Sequence, residues 1–384
     1  MTQRKYTFWL LTNISLIFIF IGLINRIVDP FWYYQDIEIS GFNKIKPKFR
    51  NFERYIKPKI LKRVQPNALI FGSSFSEIGF DPTNPIFSNY GKLVSYNFGI
   101  AGAGWDRAQC YFDYALNNTK VKRIIIGIAP GSLPRVNCKG ALPEIDNFSE
   151  ANLLFSMRSL SASVSTVLAQ KKDSPSHTKE GMYYYIRGHA GVDEQFREFY
   201  RNKTKQCDLK ALRKTNPDTL KLDTQLPKLD NKINLDGLRY IVQKAKEKNI
   251  ELRIFVYPTH ALWLEKYAIC GEYKNQWSTL NSIVKAIENE GGNTEIWEFN
   301  RYNDYTGEAI TNQKAFYWQD PEHFNFEFGN LIIGAMFSGK VNNNFGSRLT
   351  SKSISSSYNS YLISRNKFIH NHTDFLTTLD KLTQ

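Results

Sequence analysis

Five short apolar runs constrain this chain more than any other feature. Ala68-Leu69-Ile70-Phe71, Leu93 to Phe98, Arg123 to Ile128, Ile250 to Tyr257 and Thr294 to Phe299 have the length and composition of buried strands. Helical patterns fall between and after them, at Trp105 to Leu116, Leu235 to Lys248, Trp277 to Glu288 and Phe326 to Phe337. In Leu235 to Lys248 the apolar Leu238, Ile241, Val242 and Ala245 share one face, and Lys244, Lys246 and Lys248 lie largely outside it. Strands alternating with amphipathic helices predict an α/β fold, a three-layer doubly wound and mainly parallel sheet with helices on both faces.

An anchor precedes the sheet. Tyr6 to Asn25 are twenty consecutive uncharged residues rich in Leu, Ile and Phe. A helix of that length crosses a hydrocarbon layer of roughly 30 Å. No small-residue cleavage pattern follows, so the segment reads as an uncleaved signal anchor rather than a removed leader. Arg4 and Lys5 precede it, but Lys44, Lys46, Lys48 and Arg50 follow, so positive charge alone does not orient it. The short charged N-terminus favours a single-pass inner-membrane protein with its body extracytoplasmic.

The expected organisation is a membrane anchor over 1–28, a basic connector over 29–65, an α/β domain over 66–340 and a polar tail over 341–384. The regular pattern lapses between about 130 and 234, a stretch too long for an ordinary connection, which reads as an insertion or cap with a helical patch from Ala151 to Leu168. The connector's cations, among them Lys46 and Lys57, are placed to meet anionic headgroups or simply face solvent. The formal charge is 50 − 36 = +14, which suits anionic partners or is only a lysine-rich surface. Nucleic acid is not an expected partner, because no zinc-ligand spacing, RNP-like run or basic helix is present. None of Cys110, Cys138, Cys207 and Cys270 forms a CxxC pair, so no metal is expected. Outside the cytoplasm a disulfide can form, and Cys138 with Cys207 is the favoured pairing, both lying in the least regular part of the chain.

The chemistry-bearing fragment is Phe71-Gly72-Ser73-Ser74-Phe75. A serine just after a buried strand projects above the carboxyl edge of the sheet, where open α/β folds place their sites. Its hydroxyl needs an adjacent base. His323, in Asp320-Pro321-Glu322-His323, follows an aromatic run and precedes the last helix. A carboxylate three residues before an imidazole can fold back to accept the Nδ1 proton, leaving the other nitrogen for the serine. Asn97-Phe98-Gly99-Ile100-Ala101-Gly102-Ala103-Gly104 follows the second strand, and the Gly102 amide with that of Ser74 would form an oxyanion hole.

The order GxS, NxGxxG and DxxH resembles the SGNH/GDSL hydrolase superfamily, more narrowly its bacterial membrane-anchored subgroup that reads GSS. The likeness covers the anchor, about 66–130 and about 234–340, with Asn25-Arg26-Ile27-Val28-Asp29-Pro30, Gly79-Phe80-Asp81-Pro82, Phe255-Val256-Tyr257-Pro258-Thr259-His260-Ala261 and Trp297-Glu298-Phe299-Asn300 beyond the motifs. It implies Ser74 as nucleophile, Gly102 as oxyanion glycine, Asp320 and His323 as the remaining triad, and no cofactor. Two departures stand out. Ser73 replaces the aspartate of GDS, and the third-block asparagine is missing from Gly127-Ile128-Ala129-Pro130-Gly131-Ser132, leaving a donor to come from Ser132 or the cap.

Plainer readings stand beside these. A Gly-Ser-Ser tripeptide is also an ordinary turn, and the glycine cluster a tight strand-to-helix connection. Trp105 and His260 are candidate substrate contacts, but Trp105 can equally pack at a helix start and His260 can begin a helix. His177, His189, His370 and His372 read as surface residues. The leading functional expectation is an extracytoplasmic serine acyltransferase or esterase acting on acyl groups, acetyl foremost, of a cell-envelope glycan. Its partners would be that glycan or an acyl carrier, the membrane, and a multi-pass acyl-donor membrane protein. The competing expectation is a non-catalytic tethered component of a polysaccharide assembly or export complex; a lipase would need an apolar acyl pocket.

Overall fold

The computed structural model describes residues 3–142, 149–171, 174, 176–184, 194, 196–198, 222–227, 233–311, 313, 315–338 and 344–382. In chain order its strands are β1 (Ala68–Phe71), β2 (Ser95–Asn97), β3 (Arg123–Ile128), β4 (Ser176–His177), β5 (Tyr183–Tyr184), β6 (Glu251–Val256), β7 (Glu295–Glu298) and β8 (Ser347–Leu349). The chain divides into two compact units, 1–64 with 139–186 and 65–138 with 187–384.

The larger unit holds a six-stranded sheet in the order β2-β1-β3-β6-β7-β8. All pairings are parallel except β7 with β8. From β1 the chain goes one way to β2, then returns past β1 to β3 and on to β6 and β7. That reversal leaves a crevice at the carboxyl ends of β1 and β3, where open α/β sheets bind ligands. β1 is buried along its whole length, as a strand covered on both faces must be. The expected elements are present, with ends shifted by a few residues; the helix at Trp277 begins earlier, at Glu272, and runs to Glu290.

The segment read as a tail is folded. β8 closes one edge of the sheet against β7, and the helix Ile354–Asn371 buries Tyr358, Tyr361 and Arg365. Arg365 donates to both oxygens of Glu265, at 2.8 and 2.5 Å, and the same carboxylate accepts from the Tyr302 hydroxyl. A bidentate pair of this kind locks the helix to the body.

The expected cysteine pairing is also corrected. Cys138 pairs with Cys110, their Cα atoms 5.2 Å apart. The Gln109 side chain donates to the carbonyl of Val136 and accepts from its amide, laying residues 134–138 along the helix Trp105–Asn118. Cys270 is likewise disulfide-bonded, and Cys207 lies outside the described residues.

In the smaller unit the helix Gln3–Val28 is long and apolar enough to cross a membrane. The connector is built into this unit rather than left as a solvated basic strand. Phe31, Trp32, Tyr33, Phe49, Ile56, Ile60 and Leu61 are buried. Lys46 and Lys57 are fully buried too, so neither reaches a headgroup. Lys46 Nζ donates to the Val28 carbonyl at 2.6 Å and lies over the Trp32 ring. Desolvation lowers its pKa to about 8, against the pull of Asp29. His177, expected on the surface, is 3% exposed and packed between Phe49 and Tyr183; His370 and His372 are exposed, and His189 lies outside the described residues. The expected patch Ala151 to Leu168 is two helices, Glu150–Phe155 and Met157–Ala169, broken at Ser156, whose side chain caps the second.

Candidate active site

Gly72, at the end of β1, has a φ of +145°. A Cβ there would lie 2.2 Å from Ser76 Oγ and 2.3 Å from the Tyr257 hydroxyl, so no other residue fits this bend. The bend delivers Ser73 as N-cap and Ser74 as first residue of the helix Ser74–Gly79. The Tyr257 hydroxyl, from the end of β6, accepts the Ser73 amide at 3.0 Å. Tyr257 is half-buried, and desolvation raises its pKa against the Ser76 and Ser73 hydrogen bonds, so the phenol stays protonated. Its ring occupies the space above Gly127, where a Cβ would come within 2.2 Å. Asn97 fixes the far end of the helix: its side-chain amide donates to the carbonyls of Ser76 and Phe80, and its oxygen accepts the Gly99 amide.

The second half of the site is a hairpin. Trp318 and Phe324 form an antiparallel bridge, and the Gln319 amide donates to the His323 carbonyl at 2.8 Å, which folds Asp320 to His323 into a tight turn. Asp320 Oδ1 accepts the backbone amides of Glu322 and His323, both at 2.9 Å. The imidazole then meets the carboxylate locally, with Nδ1 at 2.8 Å from Oδ2 and 3.0 Å from Oδ1. Phe324, next in sequence, fills the space over Gly79 and packs on Phe80. Gly329 approaches the Gly79 carbonyl so closely that a Cβ would overlap it. Two segments 249 residues apart are joined in this way, and Ser74 Oγ lies 2.9 Å from His323 Nε2.

The electrostatics assign the protons. Burial alone would raise the Asp320 carboxyl, but the hydrogen bond and charge of His323, with two backbone amides, outweigh it and hold the group below the usual carboxylate range. An ionised Asp320 accepts only, so Nδ1 carries the proton and Nε2 presents its lone pair to the Ser74 hydroxyl. That is the arrangement a serine nucleophile requires.

No family model matches this chain, and no curated protein or solved structure does either. The chemistry is therefore read from the residues themselves.

The remaining expected residues divide. Trp105 lines an open cleft of about 380 Å³ with Gly72, Ser73, Phe75, Ala103, Gly104 and residues 127–133, and its indole donates to the Pro134 carbonyl. A smaller cleft of about 110 Å³ shares Phe75, Ala129, Pro130 and Tyr257 and adds Thr259, Tyr267, Gln276, Asn300 and Glu322. Ser74 and His323 are not among the walls of either cleft, but Ser73 and Phe75 flank Ser74 in sequence, and the Phe75 ring lies 4.5 Å from that of His323. Among the described residues neither cleft is lined by Lys or Arg. Gly102 is exposed in a turn with φ +64°. That turn is tied to the bend before Ser74 by the Ile100 amide, which donates to the Gly72 carbonyl at 3.0 Å. Ser132 lines the larger cleft, its hydroxyl accepting the Asn234 amide at 3.4 Å.

His260 is not a substrate contact. It is 1% exposed, caps the helix Ala261–Ile269 through Nδ1, and places Nε2 2.9 Å from the Glu308 carbonyl. Its surroundings are Phe196 and Trp318, and burial lowers its pKa to about 4. Its backbone supports the site instead: the His260 amide donates to the Pro321 carbonyl and pins the tip of the hairpin that carries His323. Tyr257, which holds the Ser73 amide, was not singled out from the sequence. A tyrosine ending a buried strand just before Pro258 was the available signal.

Proposed function

We propose that this chain is a membrane-anchored serine acyltransferase or esterase of the SGNH type, acting on O-acyl groups, acetyl foremost, of an extracytoplasmic cell-envelope glycan. One observation carries the reading: the hydroxyl of Ser74, the imidazole of His323 and the carboxylate of Asp320 form one hydrogen-bonded line at the crevice of the sheet. Ser74 Oγ attacks the acyl carbonyl carbon while His323 Nε2 takes its proton. The oxygen–carbon bond to the leaving group breaks, and that group leaves with the proton. A sugar hydroxyl or water then attacks the acyl-serine, giving its proton to His323 and restoring Ser74. Asp320 stabilises the imidazolium in both halves.

The amides of Ser74 and Gly102 are the proposed oxyanion donors. No asparagine ends β3, and one missing donor lowers such rates by roughly a hundred- to a thousand-fold, which favours transfer to a dedicated acceptor over vigorous general hydrolysis. Small walls (Ala103, Gly104, Ala129) beside Trp105 suit a short acyl group. The Cys110–Cys138 disulfide supports an oxidising, extracytoplasmic location.

The test uses purified full-length chain and a p-nitrophenyl acetate substrate. The wild type is expected to give a burst of nitrophenolate equivalent to the protein present, and Ser74→Ala none. Equal turnover in both overturns the proposal. Envelope glycan acetylated equally with wild type and Ser74→Ala, yet lost on deletion of the whole protein, would instead assign the tethered-component role.

A further inference from the structure

The helix Met157–Ala169 is built inside out for a helix in water. It buries Ser159, Ala162, Ser163, Thr166 and Ala169. Its large side chains face outward: Met157 is 71% exposed, Val164 51% and Leu168 70%. Met157, Ser161, Val164 and Leu168, spaced i, i+4, i+7 and i+11, form one stripe, and Arg158 is the helix's sole charged residue. Helices in lipid follow this rule, with small residues at the helix contact and large aliphatic ones outside. In water the opposite arrangement is favoured.

What the small face packs on fixes the solvent of the large one. Asn25, near the end of the anchor helix, is 1% exposed; its amide donates to the Leu154 carbonyl and its oxygen accepts from Ser163, both at 2.7 Å. Phe155 closes over Gly22, where a Cβ would lie 2.7 Å from its ring, and meets Phe18 with ring centroids 6.5 Å apart. Phe18 lies seven residues before Asn25, about 10 Å along a helix. The helix turn at Phe155 is therefore level with lipid-facing turns of the anchor, whose own Leu16, Ile17 and Phe20 are exposed. At the other end, the Gln170 side chain hydrogen-bonds the backbone of Ile45, beyond the span. Thirteen residues extend about 20 Å, too short to cross a bilayer.

We propose that the pair Glu150–Phe155 and Met157–Ala169 is a second membrane contact, dipping into the leaflet at the Asn25 end of the anchor and presenting Phe155, Met157, Val164 and Leu168 to lipid acyl chains. This rests on the anchor reading but not on the chemistry of Ser74. A depth of about 10 Å matches that of helices lying in the acyl–headgroup boundary. The contact keeps the unit that carries the anchor close against the membrane, which suits a protein whose acyl donor or acceptor is held there.

The test labels single introduced cysteines with bimane in the full-length chain, in phosphatidylcholine vesicles whose acyl chains are brominated. No free cysteine competes among the described residues. Leu16→Cys reports on the anchor, Val164→Cys and Leu168→Cys on the proposed contact, and Ser355→Cys, on an exposed position, on water. Brominated lipid is expected to quench the first three about twofold and to spare Ser355→Cys, with aqueous iodide acting in the reverse order. Quenching of Leu16→Cys by lipid with iodide reaching Val164→Cys and Leu168→Cys overturns the inference and leaves the anchor. Protection of those two from both quenchers overturns it as well, since protein then covers the stripe. Iodide quenching at Leu16→Cys removes the anchor reading and this inference together. If the cysteine variants misfold, wild-type chain is cross-linked to a lipid bearing a diazirine on its acyl chain; adducts confined to the anchor peptide and absent from 154–168 contradict the proposal.

Discussion

Two turns at the rim of the sheet each carry a histidine, and a backbone hydrogen bond joins them, from the His260 amide to the Pro321 carbonyl. In the loop after β6, His260 is surrounded by Phe196 and Trp318 and has backbone partners on both ring nitrogens. In the late hairpin, His323 keeps 19% of its side chain exposed, with a carboxylate on one nitrogen and a serine hydroxyl on the other. Burial makes the first imidazole a neutral structural cap. The second has a carboxylate placed to stabilise an imidazolium, as the proposed base requires. Two histidines at one rim therefore differ in the partner on each nitrogen, and His323 has those that the proposed chemistry requires.

The sharpest way to break this contrast is to remove each ring. His323→Ala is expected to lower the acyl-transfer rate by roughly 10⁴-fold or more with little change in thermal midpoint. His260→Ala is expected to cost about 2 kcal/mol of stability, from a lost cap and an unpaired Glu308 carbonyl, while changing activity only through the hairpin it holds. Equal loss of activity without loss of stability in both variants would erase the distinction.

Asp320→Asn isolates the partner. The ring contact can persist, but an amide no longer stabilises the imidazolium or enforces the tautomer, and a fall of about 10³- to 10⁴-fold in kcat is expected. Stopped-flow acylation measures it directly.

Acid separates the two rings by stability. The folded pKa of His260 is lowered to about 4 from an ordinary 6.5, so between those values the unfolded chain binds the extra proton and stability falls as pH falls. The full shift corresponds to a loss on the order of 3 kcal/mol, complete below the folded value. Urea titrations from pH 7 to pH 4 are expected to show this slope, and His260→Gln to flatten it. The smallest effect belongs to Tyr257→Phe: the Ser73 amide loses its acceptor, at about 1 kcal/mol, and kcat is expected to fall several-fold with KM little changed.

The meeting of Ser74, His323 and Asp320 was legible because its signals are local. Ser74 directly follows an apolar strand, and Asp320 and His323 are three residues apart, so hydrogen-bond geometry needs only a turn. That His260 begins a helix was one of its two readings; its burial was not legible, because its partners Phe196, Glu308 and Trp318 are distant in sequence and only packing brings them together. The same reason hid the cysteine pairing: Cys138 reaches Cys110 through the two hydrogen bonds of Gln109, which no spacing rule contains. β8 is a three-residue strand in a polar stretch, too short to show a period of two, and its register is set by β7. The helix Met157–Ala169 shows apolar periodicity, but a sequence period gives no sign of which face is buried, so its reversed burial emerged only from the Asn25 and Phe155 contacts.

The central claim is that the Ser74 hydroxyl is activated by the late hairpin. Treatment of the full-length chain with a fluorophosphonate, followed by peptide mass spectrometry, tests it most directly. The account predicts one adduct on Ser74, absent in Ser74→Ala and strongly slowed in His323→Ala. Undiminished labelling of Ser74→Ala, or an adduct on another serine, would contradict it.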